Sequence, residues 1–318
     1  MARYRHDLPQ ARGGIFLSDG GMETTLIFRY GIDLPHFASF VLLETGEGCA
    51  ALKSYYESHL TVARKNGVGF VLDSATWRAN PDWAAKLGYG AEALAAINKR
   101  SIAFIDALRT EWERPATPIV LNGVIGPRCD GYKAGRMSVE EAEDYHSTQI
   151  ATFAGASADM VSAITMNTIT EAVGIARAAK AHGMPCVLSF TVETDGRLVG
   201  GETLREAIET ADELTEGYAA YYMVNCAHPT HFENVLNAGE GWLARIHGVR
   251  ANASAKSHAE LDESTELDAG DPADLGRTYR GLRGSLPNLR ILGGCCGTDH
   301  RHVAAICEAC SPPRALSA

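Results

Sequence analysis

The sequence has no surplus of positive charge and no long apolar run, and both absences narrow its function. Its 29 Lys and Arg residues against 39 Asp and Glu residues leave a net charge of -10, so no cationic surface is available to neutralise a phosphate backbone. We therefore expect no nucleic-acid partner. No stretch approaches the roughly eighteen apolar residues of a membrane helix, and residues 1–7 are not followed by the apolar segment of a secretory signal. These features predict a cytoplasmic protein with no membrane partner.

A Gly/Ser-rich linker and a short internal repeat are also lacking, which favours a single domain over residues 1–318. Short apolar runs alternate with amphipathic segments, the pattern of a parallel sheet. The predicted strands are 15–18, 69–72, 119–121, 160–163, 186–190, 220–224, 243–246 and 289–292. Eight strands predict an α/β fold of the (β/α)8 TIM barrel class. The alternative is a doubly wound open sheet, although residues 19–24 lack the glycine spacing of a dinucleotide-binding loop.

The segments between these strands predict helices. They cover 49–65, 91–111, 138–156, 170–181, 203–215 and 299–307. Ser138, followed three residues later by Glu141, matches a capping box and predicts a helix start.

Residues 251–276 predict a long acidic loop after the seventh strand. The stretch holds seven acidic residues against the single base Lys256, which is typical of a solvated surface. Loops that follow barrel strands lie at the active face, so a role as a lid stays open.

Eight cysteines are present, and we expect reduced thiols because the cytosol disfavours disulfides. Cys295 and Cys296 are adjacent and stand in a glycine frame, residues 293–297. Because glycines supply no side-chain packing, a tight turn that presents two thiolates explains the pair better than packing does. Cys226 follows the sixth predicted strand, two strands away on a barrel. We therefore expect the three sulfur atoms to converge on one point.

Three converging thiolates predict a Zn²⁺ site with an open fourth position. Cys226, Cys295 and Cys296 are the predicted metal ligands and the catalytic centre. Zinc held by three anionic sulfurs is a weak Lewis acid, so its use is to bind an incoming thiol and remove its proton. The resulting thiolate is a nucleophile for an activated methyl group. Two rivals stay open, namely a zinc hydrolase and a non-catalytic barrel that zinc merely clamps.

Several motifs extend this pattern over nearly the whole chain. They are Asp-Gly-Gly-Met-Glu-Thr-Thr-Leu (19–26), Gly-Val-Ile-Gly-Pro (123–127), Ser-Phe-Thr-Val (189–192), Gly-Gly-Glu-Thr-Leu (200–204), Asn-Cys (225–226) and Gly-Gly-Cys-Cys-Gly-Thr (293–298). Together they resemble the zinc-dependent homocysteine S-methyltransferases of the betaine- or S-methylmethionine-dependent type. The resemblance implies a TIM barrel in which the homocysteine sulfur fills the open zinc position and is methylated to methionine.

The resemblance also implies a set of substrate contacts. Asp19 helps to hold the ammonium group of homocysteine, and the backbone amides of Gly20 and Gly21 receive its carboxylate. Thr76 and Asn225 are the other candidate substrate contacts.

One position departs from the family pattern. A glutamate that binds the substrate amine is expected just past the fourth strand, and Ile164 occupies its place. Isoleucine cannot pair with an ammonium group. Either Asp19 and a neighbour such as Asn167 hold the amine, or the acceptor is a different thiol.

The partners implied are small molecules, a thiol and a methyl donor. No cobalamin or pterin module fits in the remaining residues, so we expect a small onium donor such as S-methylmethionine, S-adenosylmethionine or betaine. Aromatic faces recognise such cations, and the candidates are Trp77, Trp83 and Tyr132. The sequence leaves open whether the chain forms a homo-oligomer.

Overall fold

The computed structural model describes residues 1–237 and 239–311, and within them eight parallel strands close into a barrel. Each strand pairs with the next along the chain, and β1 pairs with β8 to complete the ring. The strands are β1 (Phe16–Leu17), β2 (Gly69–Asp73), β3 (Ile119–Ile125), β4 (Met160–Met166), β5 (Cys186–Phe190), β6 (Tyr221–Asn225), β7 (Ile246–Ala251) and β8 (Ile291–Gly294). The predicted TIM barrel is confirmed, and the open doubly wound sheet is wrong because β1 and β8 are hydrogen-bonded partners.

Eleven α-helices accompany the strands within the described residues, and the longer ones that follow strands β1, β2, β3, β4 and β8 pack against the ring. The eleven helices are α1 (Pro9–Arg12), α2 (Met22–Phe28), α3 (Gly46–Asn66), α4 (Pro81–Lys86), α5 (Ala91–Trp112), α6 (Val139–Ala154), α7 (Ile169–Ala181), α8 (Leu204–Thr215), α9 (His258–Asp262), α10 (Pro272–Ser285) and α11 (His300–Cys310). The predicted capping box at the start of α6 is confirmed, since Glu141 N–H donates to the Ser138 hydroxyl at 3.1 Å and Ser138 N–H donates to the Glu141 carboxylate at 2.8 Å. No helix of the described residues combines the length and the apolar character needed to traverse a bilayer.

The strands and helices bury their side chains differently, which explains their sequence patterns. Every residue of β3 and β4 is buried, because one strand face fills the barrel interior and the other lies under the helices. Near-continuous apolar runs result. In α8 the buried residues recur every three or four positions, which leaves one charged face to solvent.

The seventh strand differs from its prediction. Residues 243–246, predicted as strand, lie mostly in a 3-10 helix, Gly241–Arg245, and β7 begins only at Ile246. The apolar pattern fails because β7 carries Arg250, a charged residue that is buried and paired with two carboxylates. Because a strand is predicted from consecutive apolar residues, the predicted strand ended before the segment that contains Arg250.

The acidic stretch 251–276 is more ordered and less peripheral than a solvated loop. It begins at the last residue of β7, contains α9, and overlaps the start of α10. Several of its residues line a cavity at the carboxyl end of the barrel, namely Ser254, Leu261, Asp262, Ser264, Glu266, Leu267 and Asp268. The stretch therefore forms part of the cavity wall, the position that a lid would take.

At the opposite end of the barrel, one buried carboxylate joins several segments. Asp159 precedes β4 and accepts hydrogen bonds from Arg109 Nη1 at 2.8 Å and from Leu121 N–H at 2.9 Å. It also accepts backbone N–H groups of Arg3 and Tyr4, at 2.6 and 2.9 Å. Asp159 thus ties the N-terminal segment and α5 to the base of the ring, far from the cavity.

Replacing this carboxylate should destabilise the fold. In Asp159→Asn the buried Arg109 guanidinium loses one of its two carboxylate partners and keeps Asp106, so we expect the free energy of unfolding to fall by ~1.5–3 kcal/mol in urea denaturation. The control is Glu209→Gln, which removes a solvent-exposed pair with Arg205 and should change stability by less than ~1 kcal/mol. Equal effects of the two variants would contradict this role of Asp159.

Candidate active site

Three cysteines converge at the carboxyl end of the barrel. Cys226 follows β6, while Cys295 and Cys296 follow β8. The three sulfur atoms lie within 4.8 Å of one another, although 69 residues separate Cys226 from Cys295. The expected meeting of these side chains is therefore present in the structure.

Two of the three sulfurs are bonded to each other, which differs from the expectation of eight free thiols. Cys226 and Cys295 form a disulfide, and Cys296 is free. The side chains of Cys226 and Cys295 point toward each other at the carboxyl end of the barrel, and their sulfur atoms are bonded there. A metal takes cysteine as thiolate, so this cluster can serve as a metal site only when the pair is reduced.

The backbone around Cys226 adopts a conformation that non-glycine residues rarely take. Cys226 has a φ of 54° and Thr165, which lies beside it, has a φ of 66°. The Asn225 side chain stabilises this arrangement, since its Oδ1 accepts Thr165 N–H at 3.0 Å and Ser189 Oγ at 2.6 Å, and its Nδ2 donates to Thr165 Oγ1 at 2.8 Å. Asn225 is fully buried, so its predicted substrate contact stays a prediction, and its visible role is to position Cys226.

The turn that carries Cys295 and Cys296 packs directly on the turn after β1. A Cβ atom on Gly20 would lie 2.8 Å from the Thr298 carbonyl oxygen, and one on Gly21 would lie 2.6 Å from the Cys295 carbonyl oxygen. The Gly21 amide donates to the Thr298 carbonyl at 3.0 Å. Only glycine permits this backbone approach, so the glycine pair holds the cysteine turn in place.

Other predicted substrate contacts already have partners within the protein. The Gly20 amide donates to His59 Nε2 at 3.2 Å, and the amide of Gly21 is engaged as described above. The hydroxyl of Thr76 donates to the Val124 carbonyl at 2.7 Å, and Thr76 is fully buried. These hydrogen bonds give no support to substrate contacts by the three residues, which stay predictions.

The cysteine cluster opens into a cavity of about 530 Å³. Its lining carries more acidic than basic side chains. The acids are Asp19, Glu23, Asp73, Asp130, Asp262, Glu266 and Asp268, and the bases are Arg78 and Arg250. Seven negative groups face two positive ones, which gives the cavity a negative potential suited to a cation.

Arg250 organises the inner wall of this cavity. Its guanidinium group pairs with the carboxylates of Asp19 and Asp73, which follow or end β1 and β2. The Tyr55 hydroxyl donates to Asp19 Oδ2 at 3.1 Å, and Asn122 Nδ2 donates to Asp73 Oδ1 at 2.7 Å. Burial raises the pKa of Asp19 to about 7, with Arg250 opposing and Asp73 reinforcing the shift. Sequence reasoning missed Arg250 because it lies in the strand that the apolar pattern misplaced.

The predicted aromatic candidates are already covered by protein side chains. The guanidinium carbon of Arg78 lies 4.1 Å from the ring centroid of Trp77 and 3.8 Å from that of Trp83. The Tyr132 ring stacks on His258 at 3.9 Å between centroids. At least one face of each ring is thus covered by a protein side chain, and their contact with a donor cation stays a prediction.

Cys296 stands in a polar microenvironment within this cavity. The Tyr132 hydroxyl is hydrogen-bonded to its sulfur, and burial together with the Glu23 carboxylate raises the pKa of the thiol to about 11. A thiol with so high a pKa is neutral at pH 7. A bound cation is what would convert it to a thiolate.

A family model describes the same barrel. The model of the homocysteine S-methyltransferase family matches residues 16–310. A curated relative, Homocysteine S-methyltransferase 2 of Arabidopsis thaliana, is 20% identical over 327 residues, which cover 94% of each chain. The match therefore includes all eight strands and the three cysteines.

Solved structures of the homocysteine methyltransferase MmuM from Escherichia coli share this fold. The oxidized form has a TM-score of 0.69 at 23% identity and covers 93% of this chain and 96% of its own. The metallated form has a TM-score of 0.69 at 21% identity with the same coverage. Structural likeness at these identities establishes the fold alone.

The glycine contact beneath the cysteine turn is open to a direct test. In Gly21→Ala the new methyl group would meet the Cys295 carbonyl, so we expect ~1–3 kcal/mol less stability and weaker binding of Zn²⁺ in calorimetry of the reduced protein. The control is Gly46→Ala, where an added Cβ meets no atom within 4 Å. Wild-type Zn²⁺ affinity in Gly21→Ala would refute the role given to this contact.

Proposed function

The chain belongs to the homocysteine S-methyltransferase family, and from this premise we propose that it methylates the thiol of homocysteine, held on Zn²⁺, with a small sulfonium or quaternary ammonium donor. The product is methionine. Cys226, Cys295 and Cys296 would hold the ion. The observation that carries the proposal is the cluster of their three sulfur atoms, within 4.8 Å of one another, at a cavity large enough for both reactants.

The donor set fits zinc. Tetrahedral Zn²⁺ with Zn–S bonds of ~2.3 Å separates its sulfurs by ~3.8 Å, which is compatible with this cluster once the disulfide is reduced. Thiolate ligands favour zinc over magnesium or calcium. When bound, the ion lowers the pKa of a coordinated thiol, so the acceptor reacts as a thiolate. The homocysteine methyltransferase MmuM from Escherichia coli has been solved in a metallated form, which is consistent with a metal in this family.

Two rival functions fit the site less well. A non-catalytic zinc clamp needs a fourth protein ligand, and among the described residues no His, Asp or Glu joins the three sulfurs at ligand distance. A zinc hydrolase needs a strong Lewis acid, whereas three thiolates make zinc a weak one. An open position next to soft ligands suits a sulfur substrate instead.

The charge of the cavity supports a cationic methyl donor. The lining carboxylates that the two arginines do not pair, Glu23, Asp262, Glu266 and Asp268, attract an onium compound and do not attract an anionic one. In the transfer, the acceptor sulfur forms a bond to the methyl carbon while the bond from that carbon to the onium centre breaks, and the donor leaves as a neutral thioether or amine. The charge that drew the donor in is thereby lost, which favours release of the product.

The role of this chain in that displacement is to align two reactants. Direct transfer requires the acceptor sulfur, the methyl carbon and the leaving atom to lie in line, so orientation supplies much of the rate. Leu261 and Leu267 of the acidic stretch add apolar surface to the cavity wall. No general base is needed once the acceptor thiol has lost its proton on coordination.

A second candidate is the same reaction on a different thiol. Ile164 lines the cavity and is only 7% exposed, so the wall is apolar where the resemblance implies an amine-binding glutamate. An acceptor without an amino group would suit such a wall.

A matrix of acceptors and donors tests the proposed function. Zinc-loaded, reduced protein is incubated with homocysteine, cysteine or mercaptopropionate, each against S-methylmethionine, betaine, S-adenosylmethionine and dimethylsulfoniopropionate. We expect methionine, detected by mass spectrometry, from homocysteine and at least one small onium donor. Product from mercaptopropionate alone would favour the second candidate. Silence of every pair at full zinc occupancy would refute methyl transfer.

Removing one sulfur tests the metal site separately. We expect Cys296→Ser to lose stoichiometric zinc and at least ~100-fold in methyl transfer, because the loss of a ligand exceeds the ~10–100-fold cost of disturbing a group that supports one. The control is Cys129→Ser, which removes an exposed thiol outside the cluster and should retain both. Zinc that stays fully bound in Cys296→Ser, measured by mass spectrometry of the metal, would eliminate this site.

A further inference from the structure

Most of the acidic groups that line the cavity are already neutralised or solvated. Asp19 and Asp73 share the guanidinium group of Arg250, and Asp130 lies 3.4 Å from Arg78. The acids of the lid-like stretch are exposed, and solvent screens their charge: Asp262, Glu266 and Asp268. One carboxylate of the lining belongs to neither group.

That carboxylate is Glu23, the second residue of α2. Its Oε1 accepts a hydrogen bond from Ser39 Oγ at 2.8 Å, and its other hydrogen bond is with its own backbone. Among the described residues no Lys, Arg or His nitrogen lies within 4.0 Å of it. Burial raises the pKa of Glu23, and Arg78 and Arg250 lower it only through Coulombic attraction at longer range. Glu23 is half-buried in the cavity wall, and a partly desolvated carboxylate without a counterion is a candidate for ligand binding.

Glu23 stands next to the proposed reaction centre. Glu23 and Cys296 line the same cavity, and the Glu23 carboxylate acts electrostatically on the Cys296 thiol. A thiol bound at the cluster would place any amino group only a short carbon chain away from its sulfur. Since Glu23 and the three cysteines line one cavity, we infer that an ammonium group on the acceptor can reach the Glu23 carboxylate.

A carboxylate suits an ammonium group better than it suits the onium centre of the donor. An ammonium donates N–H hydrogen bonds, and a charge-assisted hydrogen bond to a carboxylate is stronger than a neutral one. A sulfonium or quaternary ammonium centre has no N–H to donate. The Asp19 carboxylate is less available, because Arg250 and the Tyr55 hydroxyl occupy its two oxygens.

On the basis of the function proposed above, we propose that Glu23 binds the ammonium group of the acceptor thiol and sets a preference for amino thiols. It supplies, from the first turn of α2, a negative charge that the apolar Ile164 does not supply from β4. Glu23 is thus a specificity-determining residue of the acceptor site.

Calorimetry with two matched thiols tests this assignment without turnover. L-Homocysteine and 4-sulfanylbutanoate share the thiol, the carbon chain and the carboxylate, and differ only in the amino group. Both are titrated into zinc-loaded wild type, Glu23→Gln and Glu47→Gln. Glutamine keeps the acceptor for Ser39 but removes the charge. Glu47 is the matched control, because it is also a glutamate in the first turn of a helix but is exposed to solvent.

We expect wild type and Glu47→Gln to bind homocysteine roughly 10- to 100-fold more tightly than 4-sulfanylbutanoate, the usual value of a hydrogen bond to a charged group. Glu23→Gln should abolish this difference by weakening homocysteine alone, with zinc content unchanged. Equal affinities in wild type would overturn the proposal even if the variant failed to fold. A preference retained in Glu23→Gln, or an equal loss for both thiols, would also overturn it.

The same samples separate this proposal from the proposed function. Each zinc-loaded protein is also given the onium donors and assayed for methylated product. If wild type shows the Glu23-dependent preference but forms no product, the result supports the ammonium site and refutes the proposed methyl transfer. If wild type forms product without any preference for the amine, the result supports methyl transfer and refutes the role proposed for Glu23.

Discussion

The close contact between two turns, one after β1 and one after β8, is the constraint on which the site depends. Closure of the ring makes β1 and β8 neighbours, so the backbone of Gly21 meets the carbonyl of Cys295 at a distance that excludes any side chain. The turn that carries Cys295 and Cys296 is thereby held in place by the turn after β1. Cys226 is fixed independently, from β6, by the left-handed backbone that Asn225 stabilises. The three sulfur atoms come together because the glycine contact positions Cys295 and Cys296 while the Asn225 hydrogen bonds position Cys226.

The second constraint is electrostatic. The barrel interior contains two neighbouring carboxylates, Asp19 and Asp73, and the single cation Arg250 lies between them. Removing that cation would leave two buried acids facing each other, which the fold could bear only by protonating one. Since Arg250 is engaged in this way, the charge that remains available to a ligand lies elsewhere on the wall, at Glu23 and along the acidic stretch.

Those parts of the molecule that follow from local pattern could be predicted from the sequence. The barrel follows from apolar runs, and the cysteine cluster follows from two thiols in a glycine frame at one strand end and a third at another. The partners of a side chain could not be predicted. Asp19 looked well aimed at a substrate amine, but Arg250, 231 residues away, already pairs with it. Because Arg250 interrupts the apolar sequence of β7, the apolar pattern did not predict this strand correctly. The partners of Gly20 and Thr76 likewise depend on packing between distant segments.

Glu23 is a residue whose importance could not be judged from the sequence, although it belongs to the motif at residues 19–26. It lies four residues after Asp19 in the same motif, in the first turn of α2, and the family resemblance pointed to Asp19 instead. The structure separates them by their counterions. A metal bound by three thiolates accepts any thiol that reaches its open position, because the affinity lies between metal and sulfur. Under the proposed function, discrimination among thiols would then come from the rest of the wall, where the apolar Ile164 lies in β4 and the unpaired Glu23 lies in α2. In the proposed site, chemistry and selectivity would therefore reside on separate elements of the barrel, and a change in the acceptor need not disturb the sulfur cluster.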